Sequence, residues 1–363
     1  MEKPKVLIVE DSAFMRKLIT GFLTEDQSFN VIGYARNGKD AIEKIKVLQP
    51  DVVTLDIEMP IMDGLEALKI IMNECPLPVI MLSSSTQSGA DHTVLAMQYG
   101  AFDFIAKPSG SISLDLHKVK DELKEKITAA SKAKLSRFQK NLAITKQKMS
   151  ESVICSNIEL ENNRHIVPKS FNRNSEKVIA IGTSTGGPRA LQSVLTNLPG
   201  TIDAPIVIVQ HMPAGFTKSL ANRLDALSAI TVKEAENDEA LHKGTAYIAP
   251  GGYHFKVVQK GKTLVAKLSQ EDAVNGHRPS ADVLFESISV LEEHSVICVI
   301  MTGMGNDGSK GLIALKKQRP TVSIAESEET SIVFGMPRAA IATNLVDDVE
   351  NVGNIARAIV KYC

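Results

Sequence analysis

The sequence lacks most features of secreted, membrane-spanning or strongly charged proteins. Its 363 residues include no tryptophan and only four cysteines, and the formal net charge at pH 7 is −1. No stretch approaches the roughly 18 uninterrupted apolar residues of a membrane-spanning helix, so we expect no membrane insertion. Because the charges balance, no overall field draws the chain to nucleic acid or to an anionic membrane.

The cysteines predict neither a disulfide framework nor a metal-binding motif. They lie far apart and none belongs to a Cys-X-X-Cys pair: Cys75, Cys155, Cys298 and Cys363. The apolar run near the N-terminus is too short for the core of a secretion signal. We therefore expect free thiols in a reducing compartment, and a cytoplasmic protein.

Short apolar runs alternate with helical patterns in the first part of the chain. The strand candidates are KVLIVE, FNVIGYA, DVVTLD, PVIMLSS and FDFIAKP. Strands that are apolar throughout are buried on both faces, as in a parallel sheet covered by helices. We therefore predict an α/β fold for residues 1–125, namely a doubly wound domain with a five-stranded parallel sheet.

A lysine-rich stretch and a polar stretch separate this domain from the rest. Leu116 to Met149 is compatible with a helix, and Ser150 to Glu176 is polar and irregular. Aromatic residues are few and a second basic stretch is lacking, which favours a solvated helix face over a nucleic-acid surface. We predict a basic helix and linker over residues 126–176 and no nucleic-acid partner.

The alternation resumes at Lys177, which predicts a second domain over residues 177–363. The pattern indicates a larger, mostly parallel and doubly wound α/β domain. The segment GGYHFKVVQKGKTLVAKLS predicts an antiparallel hairpin with a glycine turn. Helical patterns begin near Arg189, Phe216, Ser280, Asp307 and Pro337.

Carboxylates follow two strands of the first domain that its expected order, 2-1-3-4-5, makes neighbours. Glu10 and Asp11 follow the first strand, and Asp56 ends the third. Clustered carboxylates are costly without a cation, and oxygen ligands suit Mg²⁺. Ser83 and Lys107 follow the fourth and fifth strands, adding a hydroxyl and an ammonium. Together these residues suit an aspartate nucleophile that accepts a dianionic phosphoryl group. Any one of them alone would be an ordinary polar residue at the start of a loop.

These stretches resemble the response-regulator receiver family over about residues 4–125. The matching motifs are VEDS, TLDIEMPIMDG, LSSS and FIAKPS. The resemblance implies that Asp56 accepts phosphate from a histidine kinase and that Ser83 and Lys107 contact the phosphoryl group. It also implies a Mg²⁺ site at Glu10, Asp11 and Asp56.

The same resemblance assigns two further residues and shows one departure. It implies that the backbone carbonyl of Glu58 is a metal ligand and that the rotamer of Phe104 reports the phosphorylation state. The family usually has aspartate where this chain has Glu10. The longer side chain keeps the charge, so we expect a metal site of altered affinity.

The stretch VIAIGTSTGGP, from Val178 to Pro188, places Ser184 in a Gly-X-Ser-X-Gly pattern. It is compatible with a phosphate-binding turn, an ordinary loop or an exposed nucleophile. It lacks the Gly-X-Gly-X-X-Gly spacing and the lysine of a phosphate-binding loop. A strand-to-helix turn instead holds a serine exposed, and the helix N-terminus favours developing negative charge.

A histidine and an aspartate follow other strands of the second domain. His211 ends the next strand, in VIVQHMPAGF, and Asp307 follows a strongly apolar strand, in VICVIMTGMGNDG. The carboxyl ends of parallel strands meet at one edge of a sheet. We therefore predict Ser184 as nucleophile, His211 as general base and Asp307 as the acid that orients it.

The order serine, histidine, aspartate differs from that of α/β-hydrolases, in which the acid precedes the histidine. A second interpretation follows the hydrolase order. It takes Asp238 as the acid and His254 or His277 as the base.

Long motifs of the second domain resemble the chemotaxis protein-glutamate methylesterase family, whose members are two-domain response regulators. They are IGTSTGGP, QHMPAGFT, YIAPGGYH, GHRPSADVLF, MTGMGNDGSKG and VFGMPRAA, and they cover most of residues 177–343. The resemblance assigns nucleophile, base and acid to Ser184, His211 and Asp307. It places an oxyanion donor at the Met304 backbone amide and a neighbouring hydroxyl at Thr185.

The resemblance implies a phosphorylation-regulated serine hydrolase that serves adaptation in chemotaxis. Its substrates would be glutamyl methyl esters, and certain glutamines, on the cytoplasmic domains of chemoreceptors, the methyl-accepting chemotaxis proteins. The phosphodonor would be the chemotaxis histidine kinase, and the esterase site would need no cofactor. The unphosphorylated receiver domain would cover the cleft.

Two other functions remain compatible with a receiver domain. A transcription regulator would carry a helix-turn-helix and a basic face, and the second domain shows neither pattern. A receptor-binding adaptor would keep the same motifs with an inert triad. Methanol release from methylated receptors separates the enzyme from both.

Overall fold

The structure is a computed structural model that describes residues 3–25, 27–108, 113–133 and 175–363. Its contacts divide the chain into two units, Met1–Lys146 and Gln147–Cys363. The domain boundaries drawn from the sequence stay predictions. Most of the predicted linker, with Cys155, lies outside the described residues.

The first unit contains a five-stranded parallel sheet in the order β2-β1-β3-β4-β5. The predicted fold and strand order are confirmed. The order brings the ends of β1 and β3 side by side, and β4 and β5 continue the same edge. The strands are β1 Lys5–Val9, β2 Asn30–Ala35, β3 Val52–Asp56, β4 Val79–Ser83 and β5 Asp103–Ala106.

Side chains with short polar groups start the helices of this unit. Ser12 and Asn37 accept hydrogen bonds from backbone amides in the first turns of the helices that they precede, as do Asp63 and Thr86. The loops that carry the predicted phosphorylation site are therefore held at fixed helix starts. The helices are α1 Ala13–Thr24, α2 Gly38–Leu48, α3 Gly64–Glu74, α4 Gln87–Tyr99 and α5 Ser113–Lys132.

The second unit contains a seven-stranded parallel sheet in the order β14-β13-β12-β6-β7-β9-β8. The strands β12, β6 and β7 lie in the middle, and most of their residues are fully buried. The strands are β6 Glu176–Thr183, β7 Ile206–Gln210, β8 Thr231–Glu234, β9 Thr245–Ile248, β12 His294–Ile300, β13 Thr321–Glu326 and β14 Asp348–Glu350.

The hairpin of the second unit, β10 His254–Lys260 and β11 Thr263–Ser269, forms a separate antiparallel sheet. The predicted fold class, a mostly parallel α/β domain with an antiparallel hairpin, is confirmed. The helices are α6 Gly187–Leu195, α7 Phe216–Asp225, α8 Ala281–Ser289, α9 Ser309–Gln318, α10 Met336–Ile341 and α11 Val352–Tyr362.

Two elements near the C-terminus go beyond the sequence prediction. The strand β14 has only three residues and is too short to show a period. The helix α11 buries Ile355, Ile359 and Tyr362. The Tyr362 hydroxyl donates to Asp348 at 2.6 Å, which ties α11 to β14.

No helix within the described ranges is long and apolar enough to cross a membrane. The described cysteines Cys75, Cys298 and Cys363 are free thiols.

A buried lysine joins α5 to β5 in the first unit. Lys126 is 9% exposed, and its Nζ donates to the backbone oxygen of Phe104 at 2.6 Å. The same atom lies 3.3 Å from Asp103 and 2.7 Å from Glu122. Burial alone lowers the pKa of Lys126. The carboxylates of Asp103 and Glu122 raise it by more than burial lowers it, so the pKa lies above its usual value. Lys126 therefore stays charged.

We expect Lys126→Met to destabilise the first unit by about 3 kcal/mol, because it keeps the apolar stem but leaves buried Asp103 without its cation. Urea unfolding followed by circular dichroism measures the loss. The control is Lys44→Met, which removes an exposed pair with Asp40 and is expected to cost less than about 0.5 kcal/mol. Equal losses in the two variants would contradict the assignment.

Candidate functional site

The predicted nucleophile lies on a tight turn between β6 and α6. The Gly187 amide donates to the Ser184 carbonyl at 2.7 Å, and Gly186 has φ +78° and ψ −6°. These angles match the third position of a type II turn, which favours glycine. Pro188 lies in the first turn of α6. The strand therefore passes directly into a helix whose N-terminus adjoins Ser184.

The predicted base follows the strand next to the nucleophile's strand. Thr183 pairs with Gln210 at the end of the β6–β7 ladder, so Ser184 and His211 occupy the next positions along the two strands. The His211 amide donates to the Thr183 carbonyl at 3.2 Å. The two side chains therefore belong to one edge of the sheet.

The predicted acid joins this edge from the other side of β6. Asp307 follows β12, and its Oδ2 lies 2.8 Å from Nε2 of His211. The carboxylate accepts the backbone amides of Ala281 and Asp282 at 2.6 and 3.1 Å, at the N-terminus of α8. It also accepts the Ser280 hydroxyl at 2.7 Å.

The surroundings of Asp307 keep it ionised. Burial alone raises its pKa, but the hydrogen bonds from His211, Ser280 and the Ala281 amide outweigh burial. The net pKa lies well below the usual range of an aspartate. Asp307 is therefore a permanent anion beside the imidazole ring.

The imidazole of His211 has one nitrogen engaged and one available. In the neutral ring, Nε2 donates to Asp307 and Nδ1 is the acceptor nitrogen; Nδ1 is buried and has no hydrogen-bond partner among the described residues. The ring stacks on His277, with centroids 3.9 Å apart and planes 13° from parallel. Nδ1 is therefore the atom that can accept a proton at this edge.

The loop after β12 closes the other side of the nucleophile. The Ser184 amide donates to the Thr302 carbonyl at 3.0 Å. A Cβ on Gly303 would lie 2.8 Å from Cβ of Ser184, so only glycine fits at this approach. Met304 comes next, and its amide donates no hydrogen bond within the described residues. The Thr185 carbonyl accepts the Thr302 hydroxyl at 2.9 Å.

The sequence prediction missed several residues that contact the site. Asn275 donates to Asp282 at 2.9 Å and to Asp307 at 3.3 Å. It has φ +52°, Gly276 has φ +79°, and residues 274 and 277 exchange backbone hydrogen bonds. The Asn-Gly pair in the sequence indicates this turn, but not that it reaches the acid. The sequence prediction also missed three other residues that contact the site, namely Ser280, Gln210 and Glu326.

The second interpretation of the sequence receives no support from the contacts. Asp238 pairs with Lys260 and Lys267 at 3.0 and 3.1 Å rather than with a histidine. The Nε2 of His254 lies 2.9 Å from the Asp272 carbonyl.

The predicted phosphorylation site lies in the first unit. Glu10, Asp11 and Asp56 each offer a carboxylate oxygen within 4.8 Å of the others. Lys107 Nζ lies 2.9 Å from Glu10 and 2.7 Å from Asp56. The strand order therefore brings these four side chains together.

The electrostatics of this cluster favour a cation. Burial and the charge of Asp56 raise the pKa of Glu10 to about 7, although Lys107 lowers it in part. Burial also raises the pKa of Asp56. Within the described part of the chain, the Oδ2 of Asp56 is buried and has no hydrogen-bond partner. Hard oxygen donors and an unsatisfied buried carboxylate oxygen fit a Mg²⁺ ion.

Three other predicted residues lie near this cluster in the chain but make different contacts. The Ser83 hydroxyl lies 3.0 Å from the Gly89 carbonyl and so bonds to α4. The Glu58 amide donates to Asp56 at 3.4 Å. Phe104 is buried, with its ring 5.1 Å from Lys126 Nζ.

The fold and the two clusters define a response regulator, namely a receiver-type domain joined to a second α/β domain. Residues 6–117 match the response regulator receiver domain model, and residues 179–359 match the CheB methylesterase model. The chain belongs to the CheB family of protein-glutamate methylesterase/protein-glutamine glutaminase enzymes.

Relatives of this chain match it over nearly its full length. The protein-glutamate methylesterase/protein-glutamine glutaminase of Geobacillus kaustophilus is 54% identical over 361 residues, 99% of each chain. That of Bacillus subtilis is 47% identical over 98% of this chain and 97% of its own. The crystal structure of the Thermotoga maritima CheB methylesterase catalytic domain is 42% identical with a TM-score of 0.50, over 52% of this chain and 100% of that chain.

A buried carboxyl group bonds to Thr302, whose carbonyl accepts the Ser184 amide. Glu326 is 1% exposed and accepts the Thr302 amide at 2.8 Å and the Thr330 hydroxyl at 2.9 Å. It pairs with no lysine or arginine in the described part of the chain. Burial raises its pKa to about 7, although the two hydrogen bonds lower it.

The raised pKa makes stability depend on pH. Above pH 4.5 the unfolded chain releases the Glu326 proton, whereas the folded chain keeps it up to about pH 7. The contribution of Glu326 to the free energy of unfolding is therefore full below pH 4.5 and is lost as pH rises through about 7. Glu326→Gln does not titrate. We expect it to gain on the order of 2 kcal/mol relative to the parent between about pH 5 and 8.

Urea unfolding of both full-length chains at several pH values measures this difference. Glu328→Gln, on the exposed neighbouring turn, is the control. A difference between Glu326→Gln and the parent that stays constant with pH would contradict the assignment.

Proposed function

We propose that the chain is a phosphorylation-regulated serine hydrolase that cleaves glutamyl methyl esters on chemoreceptor cytoplasmic domains and deamidates receptor glutamines. The observation that carries the proposal is the 2.8 Å bond between Asp307 and His211, at the strand end beside the Ser184 turn. The names of this chain's relatives, protein-glutamate methylesterase/protein-glutamine glutaminase, support the proposal further.

In the first half of the reaction, the Ser184 hydroxyl attacks the γ-carbonyl carbon of the substrate. His211 takes the serine proton at Nδ1, and Asp307 stabilises the resulting imidazolium. Negative charge develops on the carbonyl oxygen, and the Met304 amide donates to it. One such donor contributes about 3–4 kcal/mol. Thr185 adds a neighbouring hydroxyl in the same turn.

The tetrahedral intermediate then collapses, and its bond to the leaving group breaks. His211 returns the proton to this group, which departs as methanol from an ester or as ammonia from a glutamine. Water next attacks the acyl-enzyme while His211 takes its proton. The bond to Ser184 breaks, the serine regains its proton, and the receptor keeps a glutamate.

The receiver domain supplies the regulation. Asp56 accepts a phosphoryl group from the chemotaxis histidine kinase. Glu10, Asp11, Asp56 and the Glu58 carbonyl would hold Mg²⁺, which neutralises phosphoryl charge when bound. Lys107 and Ser83 contact the phosphoryl oxygens, and Phe104 changes rotamer.

In this proposal phosphorylation shifts the population toward an active form, because the unphosphorylated receiver domain restrains the catalytic domain. The proposed location is the cytoplasm, where the kinase and the receptor domains are found.

We expect Ser184→Ala to reduce methanol release from methylated receptor membranes by at least about 1,000-fold, because it removes the attacking oxygen. The control is Ser193→Ala on α6, which should keep the parent rate. If Ser184→Ala released methanol as fast as the parent, a serine esterase would be excluded. If the parent itself released none, the chain would be a receptor-binding adaptor or a transcription regulator.

We expect Asp56→Asn to abolish the stimulation of methanol release by a small-molecule phosphodonor with Mg²⁺, because the amide cannot accept a phosphoryl group. Its basal rate should stay measurable. The control is Asp91→Asn, an exposed residue of α4 that should keep the stimulation. Phosphodonor stimulation of Asp56→Asn as large as that of the parent would overturn this part of the proposal.

A further inference from the structure

The backbone of the catalytic edge has two carbonyl groups beyond the end of a β-ladder. Pairing between β6 and β7 ends at Thr183 and Gln210, so the Ser184 and His211 carbonyls lie past the last paired residues. Carbonyl groups that leave a ladder accept hydrogen bonds from other donors, and the Ser184 carbonyl already accepts the Gly187 amide at 2.7 Å in the turn. These two belong to the residues proposed as nucleophile and base.

A single side chain provides a donor to both carbonyls. The Nε2 of Gln210 lies 3.0 Å from the Ser184 oxygen and 3.2 Å from the His211 oxygen. A primary amide nitrogen carries two hydrogens, so both bonds form at once. Gln210 is 2% exposed, and its bond to the Ser184 carbonyl is buried. One rigid amide therefore connects the two residues across neighbouring strands.

The absence of a side chain at Gly187 leaves space for the Gln210 amide. A Cβ on Gly187 would lie 1.9 Å from Oε1 of Gln210 and 2.5 Å from the Thr183 hydroxyl. Glycine at position 187 therefore leaves space for the glutamine beneath the nucleophile's turn.

Glutamine at this position carries a cost as well as its two hydrogen bonds. The Oε1 of Gln210 is buried and has no hydrogen-bond partner among the described residues. A buried acceptor without a donor costs free energy, and a methionine of similar length would avoid that cost. The two N–H bonds to Ser184 and His211 are what a methionine would lose.

We propose that Gln210 is a positioning residue that sets the separation of Ser184 and His211 by holding both carbonyls on one amide. The inference rests on the proposed function, because it assigns Gln210 to that reaction. Gln210 touches only the backbone of the two residues and takes no part in bond making. A displacement of about 1 Å between reacting groups reduces the rate about 100-fold.

The test compares the full-length Gln210→Met variant with the parent in the methanol-release assay. Methionine fills the same space and removes both donors. We expect kcat to fall about 10- to 100-fold and KM to change less than about threefold, because substrate binding is unaffected. A fluorophosphonate that labels Ser184 should react more slowly by a similar factor.

Two controls separate positioning from loss of stability. Gln192→Met, a partly exposed residue of α6, should keep the parent kcat. Ser323→Ala removes a buried hydroxyl of β13 that bonds to Leu345 at 2.6 Å, away from the catalytic edge. It should lower the melting temperature while leaving kcat per folded molecule unchanged.

A second variant keeps the inference testable if Gln210→Met does not fold. Gln210→Glu has the same shape, and its carboxyl group donates one hydrogen bond when protonated and none when ionised. We expect its kcat, relative to that of the parent, to fall as pH rises and the carboxyl loses its proton. With kcat expressed per folded molecule, a purely structural role predicts a constant ratio.

The outcomes distinguish this inference from the proposed function. If the parent releases methanol and Gln210→Met keeps its kcat within about twofold, the positioning role is wrong and the proposed function stands. A constant kcat ratio for Gln210→Glu across pH would also exclude the role. If neither the parent nor Ser184→Ala releases methanol, the proposed function itself fails.

Discussion

The catalytic edge depends on one carboxylate placed at the start of a helix. Asp307 bonds to two backbone amides of α8, to Ser280 and to His211, so the imidazole is oriented by an anion that the fold itself holds. The amides and hydroxyl offset the cost of burying that charge. Together with His211 they lower the pKa of Asp307, so the acceptor of Nε2 stays ionised. The ring orientation, and with it the position of Nδ1, follows from this contact.

The two domains use buried carboxylates in opposite ways. In the second domain, donors surround Asp307 and lower its pKa, so its charge is constant. In the first domain, Glu10 and Asp56 share one lysine, and burial raises the pKa of both. The carboxylates of that site are incompletely paired, which fits the proposed binding of a cation and a phosphoryl group. The proposed catalytic site and the proposed phosphorylation site thus differ in how fully their charges are paired.

Patterns along single strands predicted most of the fold. Apolar runs located the strands, and parallel topology brought Ser184, His211 and Asp307 to one edge because each follows an inner strand. The sequence did not predict contacts set by side-chain reach. Gln210 and Asn275 look like ordinary polar residues until the ladder end and the turn bring their amides to the site. Glu326 resembles any strand-end acid, and only burial shows that its pKa is raised. Three-residue β14 was below the length at which periodicity is readable.

The central location of β12, β6 and β7 has a consequence for how the enzyme loses activity. These strands are paired on both sides, whereas β8 and β14 form the borders of the sheet. Fraying begins at borders, where backbone groups are paired on one side only. Partial opening of the border strands leaves the backbone of Ser184, His211 and Asp307 intact. The site therefore stays folded after the border strands have opened. Inactivation by heat should therefore coincide with collapse of the whole catalytic domain rather than precede it.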